Sequence, residues 1–91
     1  MKTLPDTVAH YKSTPEFNEH SVPAALQRRH TTAEAVWGRI RILEGKLLYR
    51  ILEPAVEEIT LSAELHGVVE PQVPHEVQLV GPVRFCVDFL R

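Results

Sequence analysis

His75 stands in the segment VVEPQVPHEV (residues 68–77), where two prolines and the histidine interrupt apolar residues that otherwise predict strands. Pro71 and Pro74 each fix φ and lack a backbone donor, so the chain must turn there and His75 begins a new strand. The period-2 register then places His75 on the same side as Val77, facing inward. A lone inward histidine is more often a hydrogen-bonded core residue than a ligand. Both interpretations stay open from this segment alone.

The alternation of apolar and polar residues predicts the strands that must position this histidine. The pattern predicts short strands at residues 22–30, 36–43, 46–52, 57–61, 68–70, 75–80 and 83–90. The first of these ends at His30. Glu44-Gly45 is expected to close a tight hairpin, and Gly81-Pro82 to turn the chain into its last strand. Many short strands without an amphipathic helix indicate an all-β sandwich or small barrel.

The chain length and composition bound the kind of protein. With 91 residues, we expect one domain over residues 1–91, with residues 1–18 as an irregular N-terminal arm. A single cysteine excludes an intramolecular disulfide, and a net charge of -2 without a basic block excludes a nucleic-acid partner. No apolar run approaches the length of a membrane helix, and no signal sequence is visible. A cytoplasmic location without membrane contact is the default expectation.

Longer stretches resemble a known family. VWGRIRILEGKLLYRIL (residues 36–52), followed by GVVEPQVPHEVQLVGPVRFCVDF (residues 67–89), resembles the cupin pattern. More narrowly, TPEF, SVPAALQRRHTTAEAVWG, RILEGKLLYRIL, EPQVPHEV and GPVRF resemble the TehB/YeaR-like family. That family also forms the N-terminal part of some tellurite-resistance methyltransferases. The resemblance implies a small cupin-like double-stranded β-helix, a jelly-roll barrel, and a loose link to tellurite or other oxyanion stress.

The methyltransferase chemistry itself is not expected here. The chain has neither the length nor the glycine-rich strand-to-helix motif that an S-adenosylmethionine site requires. We therefore expect the stand-alone partner domain, whose own activity the resemblance does not define.

The cupin resemblance also suggests a metal site. His30 falls near the first metal-binding histidine of cupins, so His30 and His75 could converge across the barrel. Two of the four usual ligands are missing, and Glu70 is the preferred third ligand because it adjoins the proline corner. Glu76 is expected to face away, and Gln72 is a neutral substitute. The metal would be zinc, iron, nickel or manganese, and otherwise no cofactor is expected.

Other polar residues offer weaker candidates. A set of arginines could line the barrel mouth and bind an oxyanion, or could form a solvated outer face with glutamate partners: Arg28, Arg39, Arg41, Arg50 and Arg84. Cys86 is expected to be a small packing residue. His10, His20 and His66 are expected at the surface.

Three functions from different classes follow. The first is a cupin-like binding or stress-response protein that holds a small molecule, an oxyanion or a metal ion. The second is a metal-dependent small-molecule enzyme using His30, His75 and a carboxylate. The third is a structural dimerisation domain. We favour the first, because the sparse ligand set argues against tight metal binding while inward histidines argue against a wholly apolar interior.

We predict a homodimer. Several short strands in so small a chain leave open sheet edges, which a second copy can cover through a symmetric contact. Light scattering at micromolar concentration should therefore give about twice the mass of one chain. A mass near that of a single chain, 10.3 kDa, would contradict this prediction.

Overall fold

The computed structural model describes residues 1–91 and consists of six antiparallel strands with one turn of 3₁₀ helix. In chain order the elements are β1 (His10–Ser13), β2 (Phe17–Asn18), the 3₁₀ turn (Ala24–Gln27), β3 (Trp37–Ile51), β4 (Glu57–Leu61), β5 (Gly67–Val69) and β6 (His75–Leu90). All six strands belong to one sheet, so the all-β prediction is confirmed. No helix has the length and apolar character needed to cross a membrane.

The sheet is not the closed barrel that the sequence predicted. Its hydrogen-bonded path runs β1-β6-β3-β4, with β2 paired to β6 and β5 paired to β3. The edge strand β4 pairs with the C-terminal half of β3, whereas β1 pairs with the C-terminal end of β6. β3 and β6 run antiparallel, so the C-terminal half of β3 lies far from the C-terminal end of β6. The edge strands β4 and β1 therefore lie in different halves of the sheet and do not meet.

The two long strands correct the predicted turns. Glu44-Gly45 does not close a hairpin, because β3 continues through it from Trp37 to Ile51. Gly81-Pro82 likewise lies inside β6. Residues 80–82 of β6 lie opposite the single residue Lys46 of β3. Irregular pairing of this kind bends strands, so β3 and β6 both bend where Glu44-Gly45 and Gly81-Pro82 lie side by side. The glycines and the proline therefore bend two paired strands instead of reversing the chain.

The bend changes which positions of β3 face inward. Before it the buried residues of β3 are Ile40 and Ile42, and after it they are Leu47, Tyr49 and Ile51. Leu43 has no partner between the pairs Ile42–Phe85 and Glu44–Arg84, and this one extra residue shifts the inward face of β3 by one position, since side chains alternate with a period of two. Without this shift Arg50 would face the core and Tyr49 would face outward.

One buried cluster joins the two halves of the bent sheet. It comprises Ile40, Ile42, Leu47, Tyr49, Ile51, Leu61, Val69, Val77, Val83, Phe85 and Val87. The Tyr49 hydroxyl donates a 2.9 Å hydrogen bond to the carbonyl oxygen of Val68, which ties the second half of β3 to β5. The inner faces of the two halves thus share one core.

The segment before β3 also differs from its prediction. Residues 22–30 do not form a strand, because Pro23 begins a 3₁₀ turn in which the Leu26 amide donates to its carbonyl oxygen at 3.1 Å. Val22 and Leu26 both pack against the core, a spacing of four that suits a helical turn. The N-terminal arm is more ordered than predicted, since β1 and β2 both pair with β6. The strands expected at residues 57–61 and 68–70 are confirmed to within one residue.

Replacing Gly45 should test the bend directly. Gly45 has φ of +81°, and a Cβ added there would overlap the carbonyl oxygen of Pro82. Gly45→Ala should therefore lower the free energy of unfolding by about 2–4 kcal/mol, measured by urea denaturation. The exposed neighbour serves as the control, and Lys46→Ala should change stability by less than about 0.5 kcal/mol. Equal losses in the two variants would contradict the proposed constraint.

Candidate functional site

A cavity of about 310 Å³ lies on the inner face of the sheet, beneath the 3₁₀ turn. Its lining comes from the N-terminal arm, the 3₁₀ turn, the segment before β3, and strands β3, β5 and β6. The lining residues are Thr14, Phe17, Pro23, Ala25, Leu26, His30, Thr32, Gly38, Ile40, Val69, His75, Val77, Phe85, Val87 and Phe89. No charged side chain is among them. This volume lies at the lower end of the range usual for small-molecule sites.

Aromatic rings and one glycine shape this cavity. Phe85, Val87 and Phe89 share the inner face of β6, as the alternation of the last strand predicted. The Phe17 ring packs on Phe85 at 5.6 Å between centroids, with the planes tilted by 60°. Gly38 leaves space on β3, since a Cβ there would lie 3.1 Å from the Cβ of Val69. The result is an apolar site with aromatic walls.

The two histidines predicted to converge do meet in this cavity. His30 and His75 pair through both backbone hydrogen bonds, of 2.8 and 2.9 Å, as an isolated antiparallel bridge. Their rings pack edge to face with centroids 5.5 Å apart, and the Tyr49 ring lies 5.9 Å from His75. The inward orientation of His75 is confirmed, since this residue is only 5% exposed.

The proline corner fixes the position of His75. Pro71 and Gln72 form a turn in which Gln72 has φ of +60° and the Val73 amide donates to the Glu70 carbonyl oxygen at 3.3 Å. The predicted turn before His75 is therefore confirmed. The Pro74 carbonyl oxygen accepts a 2.9 Å hydrogen bond from the Leu52 amide, which attaches the corner to the end of β3.

One hydrogen bond defines the tautomer of His75. Its Nδ1 lies 3.0 Å from the carbonyl oxygen of Val73, and a carbonyl oxygen can only accept. Nδ1 therefore carries the proton in the neutral ring, which leaves Nε2 as an unprotonated acceptor. Nε2 has no hydrogen-bond partner within the protein and is not fully buried. The imidazole ring of His75 forms part of the cavity wall.

The surroundings keep this imidazole neutral. Burial lowers the pKa of His75 below its ordinary value of 6.5, and the neighbouring His30 lowers it further, while the Val73 carbonyl oxygen opposes the shift. Near neutral pH the ring is therefore uncharged, with a free lone pair at Nε2.

The other polar side chains of the lining already have partners. The Thr14 hydroxyl donates to the Pro15 carbonyl oxygen and accepts from the Val87 amide, both at 2.9 Å. The Thr32 hydroxyl lies 2.8 Å from the Val36 carbonyl oxygen, to which it donates. Side-chain nitrogens without a hydrogen-bond partner therefore remain only on the two imidazoles, while the Thr32 hydroxyl has given its proton and can only accept.

The carboxylate expected to complete a metal site lies elsewhere. Glu70 does not border the cavity, and its carboxylate lies 3.6 Å from the Lys2 ammonium. Glu76 pairs with Arg50, as expected for a residue facing away. No group of three His, Cys, Asp or Glu side chains is arranged to hold a metal ion. The donor set is therefore two imidazoles, one short of a 2-His-1-carboxylate site.

Four of the five arginines form ion pairs and none of the five lines the cavity, so the guanidinium-lined mouth is wrong. Arg50 pairs with Glu58 and Glu76, and Arg84 pairs with Glu16 and Glu44. Arg39 and Arg41 bind Asp88, while Arg28 has no ion pair. This arrangement is the alternative described above, an outer face with acidic partners.

Asp88 is the buried polar residue that sequence reasoning missed. Burial raises the pKa of Asp88, but hydrogen bonds from Arg41, Ser13 and Arg39 outweigh this effect and hold the pKa at about 2. The carboxylate lies on the face opposite the cavity, between the cavity-lining Val87 and Phe89. An acidic residue inside the otherwise apolar run FCVDFL (residues 85–90) was the available signal.

The remaining predictions for polar residues hold. Cys86 is buried, and burial raises the pKa of its thiol, which suits a packing residue. His10, His20 and His66 are all exposed.

The neutral state of His75 predicts a pH dependence of stability. Because its pKa is lower in the folded than in the unfolded chain, the unfolded chain binds the proton more readily and stability falls as the pH drops below about 6.5. Denaturation of His75→Phe should show a shallower loss between about pH 7.5 and pH 5 than wild type. His66→Phe, at an exposed histidine without an ion pair, should keep the wild-type slope. Identical slopes in all three proteins would contradict the buried neutral imidazole.

Two crystal structures resemble this fold. A protein from Escherichia coli K12 gives a TM-score of 0.88 at 23% identity, over 100% of this chain and 97% of that chain. This identity supports the fold alone. TehB from Haemophilus influenzae gives a TM-score of 0.85 at 27% identity, over 93% of this chain and 32% of that one.

Sequence comparison points to the same relatives. The chain is 33% identical over 80 residues to a probable S-adenosyl-L-methionine-dependent methyltransferase TehB from Haemophilus influenzae, and equally so to its counterpart from a second strain. Each match covers 84% of this chain but 28% of the relative, so the chain spans less than a third of their length. A family model for the TehB-like domain matches residues 12–87. The curated relatives and the family model each match most of this chain, which therefore belongs to the TehB-like domain family.

Proposed function

We propose that this chain is a ligand-binding domain that holds a small, mainly apolar molecule in the cavity beside His30 and His75. One observation carries the proposal: an apolar cavity bordered by two imidazoles that keep nitrogens without a hydrogen-bond partner. Apolar walls provide most of the binding energy of such sites, and a few polar groups orient the ligand. A purely structural domain would have no need of such a cavity beside two imidazoles with free nitrogens.

Membership of the TehB-like family suggests the process in which this binding takes part. Because TehB-like domains occur in proteins named as probable S-adenosyl-L-methionine-dependent methyltransferases, we propose that this domain acts in the response to tellurite or other oxyanions, alongside a methyltransferase. In this proposal the cavity binds an organic molecule, and the oxyanion itself is handled elsewhere, because no arginine or lysine borders the cavity.

Two further parts of the proposal concern architecture. We propose that the open, bent sheet is a reduced form of the cupin jelly roll, with its cavity on the inner face beside the histidine pair. We also propose that the chain forms a homodimer, supported by the open edges of β1 and β4 and by exposed apolar side chains such as Val56 and Val80. A cytoplasmic location fits both but stays a prediction.

Filling the cavity should abolish binding without unfolding the protein. Ala25 borders the cavity yet is exposed on the 3₁₀ turn, so a larger side chain there can enter the cavity without displacing core residues. We expect neutral one-ring and two-ring compounds to raise the melting temperature of the wild type but not of Ala25→Trp. Ala24→Trp is the matched control, since Ala24 is exposed on the same turn and does not border the cavity.

Two outcomes would contradict this function. Binding that persists unchanged in Ala25→Trp would place the ligand outside the cavity. A wild type that binds no apolar compound at millimolar concentration would favour the structural dimerisation domain.

The metal-dependent enzyme is the second candidate, favoured only by the approach of the two imidazoles to 5.5 Å. A catalytic metal commonly uses three protein ligands, and this site offers two. Elemental analysis of protein purified without a histidine tag should therefore find well below one equivalent of zinc, iron, nickel or manganese. A near-stoichiometric metal that is lost in His30→Ala would instead support the enzyme.

A further inference from the structure

Building on the proposed binding function, we propose that the ligand is a neutral aromatic hydroxy compound. Its hydroxyl would donate to Nε2 of His75, and its ring would pack among Phe17, Phe85 and Phe89. The proposal names the class of ligand for the cavity, and it rests on three independent properties of the lining: the direction of its free hydrogen bond, its charge and its aromatic walls.

The free hydrogen bond of His75 requires a donor from the ligand. Nδ1 of His75 is committed to the Val73 carbonyl oxygen at 3.0 Å, so Nε2 keeps a lone pair without a protein partner, on a ring that borders the cavity. The hydroxyls of Thr14 and Thr32 are engaged with backbone groups. A ligand that only accepts hydrogen bonds, such as an ether, would leave Nε2 without a partner after displacing water, which is unfavourable.

The charge of the lining excludes an anion. No arginine or lysine borders the cavity, and the surroundings of His75 disfavour its protonated form. A carboxylate or an inorganic oxyanion would lose its hydration there without gaining a counter-charge. A hydroxyl attached to an aromatic ring stays neutral near neutral pH and is a stronger donor than an aliphatic alcohol.

The walls fit a flat ring. Phe17 and Phe85 already pack at a tilt of 60°, and Phe89 borders the same space. Aromatic rings prefer such tilted or edge-to-face contacts over stacked ones, so a further ring can extend the arrangement. A cavity of about 310 Å³ has room for one or two fused rings.

Three probes with the same two-ring body test this proposal on the wild type. They are 2-naphthol, its methyl ether 2-methoxynaphthalene, and 2-naphthoate, and binding is measured by titration near neutral pH. We expect the naphthol to bind about tenfold more tightly than the ether, since one hydrogen bond to an otherwise unpaired acceptor has this effect. The naphthoate should bind more weakly than either. Equal affinities of naphthol and ether, or tightest binding by naphthoate, would overturn the proposal.

Variants then locate the hydrogen bond. His75→Phe keeps a flat ring but removes the acceptor, so the preference for naphthol over its ether should disappear. His20→Phe, a matched change at an exposed histidine, should keep that preference. If His75→Phe retains the tenfold difference, the assigned acceptor is wrong.

A spectroscopic measurement on the wild type avoids any dependence on the folding of the variants. The ¹⁵N resonance of the unprotonated Nε2 of His75 should move upfield when naphthol donates to it, and should not move upfield with the ether, which has no proton to donate. An unchanged resonance at saturating naphthol would overturn the proposal.

These outcomes separate the ligand class from the binding function itself. If none of the three probes binds, the proposed binding function fails. If naphthol and ether bind equally and Ala25→Trp blocks both, the binding function stands and only the neutral hydroxy compound is excluded.

Discussion

The pairing of β3 with β6 is the interaction on which the rest of this structure depends. These two strands, Trp37–Ile51 and His75–Leu90, run antiparallel along almost their whole length, and each of the other strands pairs with one of them. Their shared bend divides the sheet into two halves whose inner faces pack into one core. Gly45 permits this bend because its backbone is left-handed and lies against the Pro82 carbonyl oxygen.

The two faces of the sheet serve different purposes. On the outer face, Asp88 lies opposite Ser13 of β1 and Arg39 of β3, so a single buried carboxylate links three neighbouring strands. On the inner face, Val87 and Phe89 border the cavity. Because side chains alternate along β6, charge concentrates on one side and apolar surface on the other. The separation keeps the cavity free of charged groups.

The histidine pair owes its place to backbone pairing as much as to side-chain packing. His30 joins the free edge of β6 through two backbone hydrogen bonds with His75, and this brings the segment after the 3₁₀ turn over the cavity. The neutral tautomer of His75 then follows from its position beside the Val73 carbonyl oxygen. A cavity bordered by one defined hydrogen-bond acceptor therefore arises from the proline corner and a single bridge between strands.

Local covalent constraints made several features predictable from the sequence. Pro71 and Pro74 cannot continue a central strand, so the corner and the inward His75 followed from φ and the missing donors alone. The alternation of Phe85, Val87 and Phe89 predicted their shared face, and the family motifs predicted the TehB-like relationship that the comparisons confirm. These features depend on neighbours in the chain, which the sequence displays directly.

Other features were decided only in the tertiary structure. Glu44-Gly45 and Gly81-Pro82 are turn signals in isolation, but opposite one another on paired strands they produce a bend, and only the pairing tells these outcomes apart. The positions of Glu70 beside Lys2 and of the arginines beside their carboxylates depend on partners distant in sequence. The sequence therefore determined where the chain must turn and which residues face inward within a strand. The register between distant strands decided which polar groups meet, because hydrogen bonds and ion pairs form only where the fold brings their atoms together.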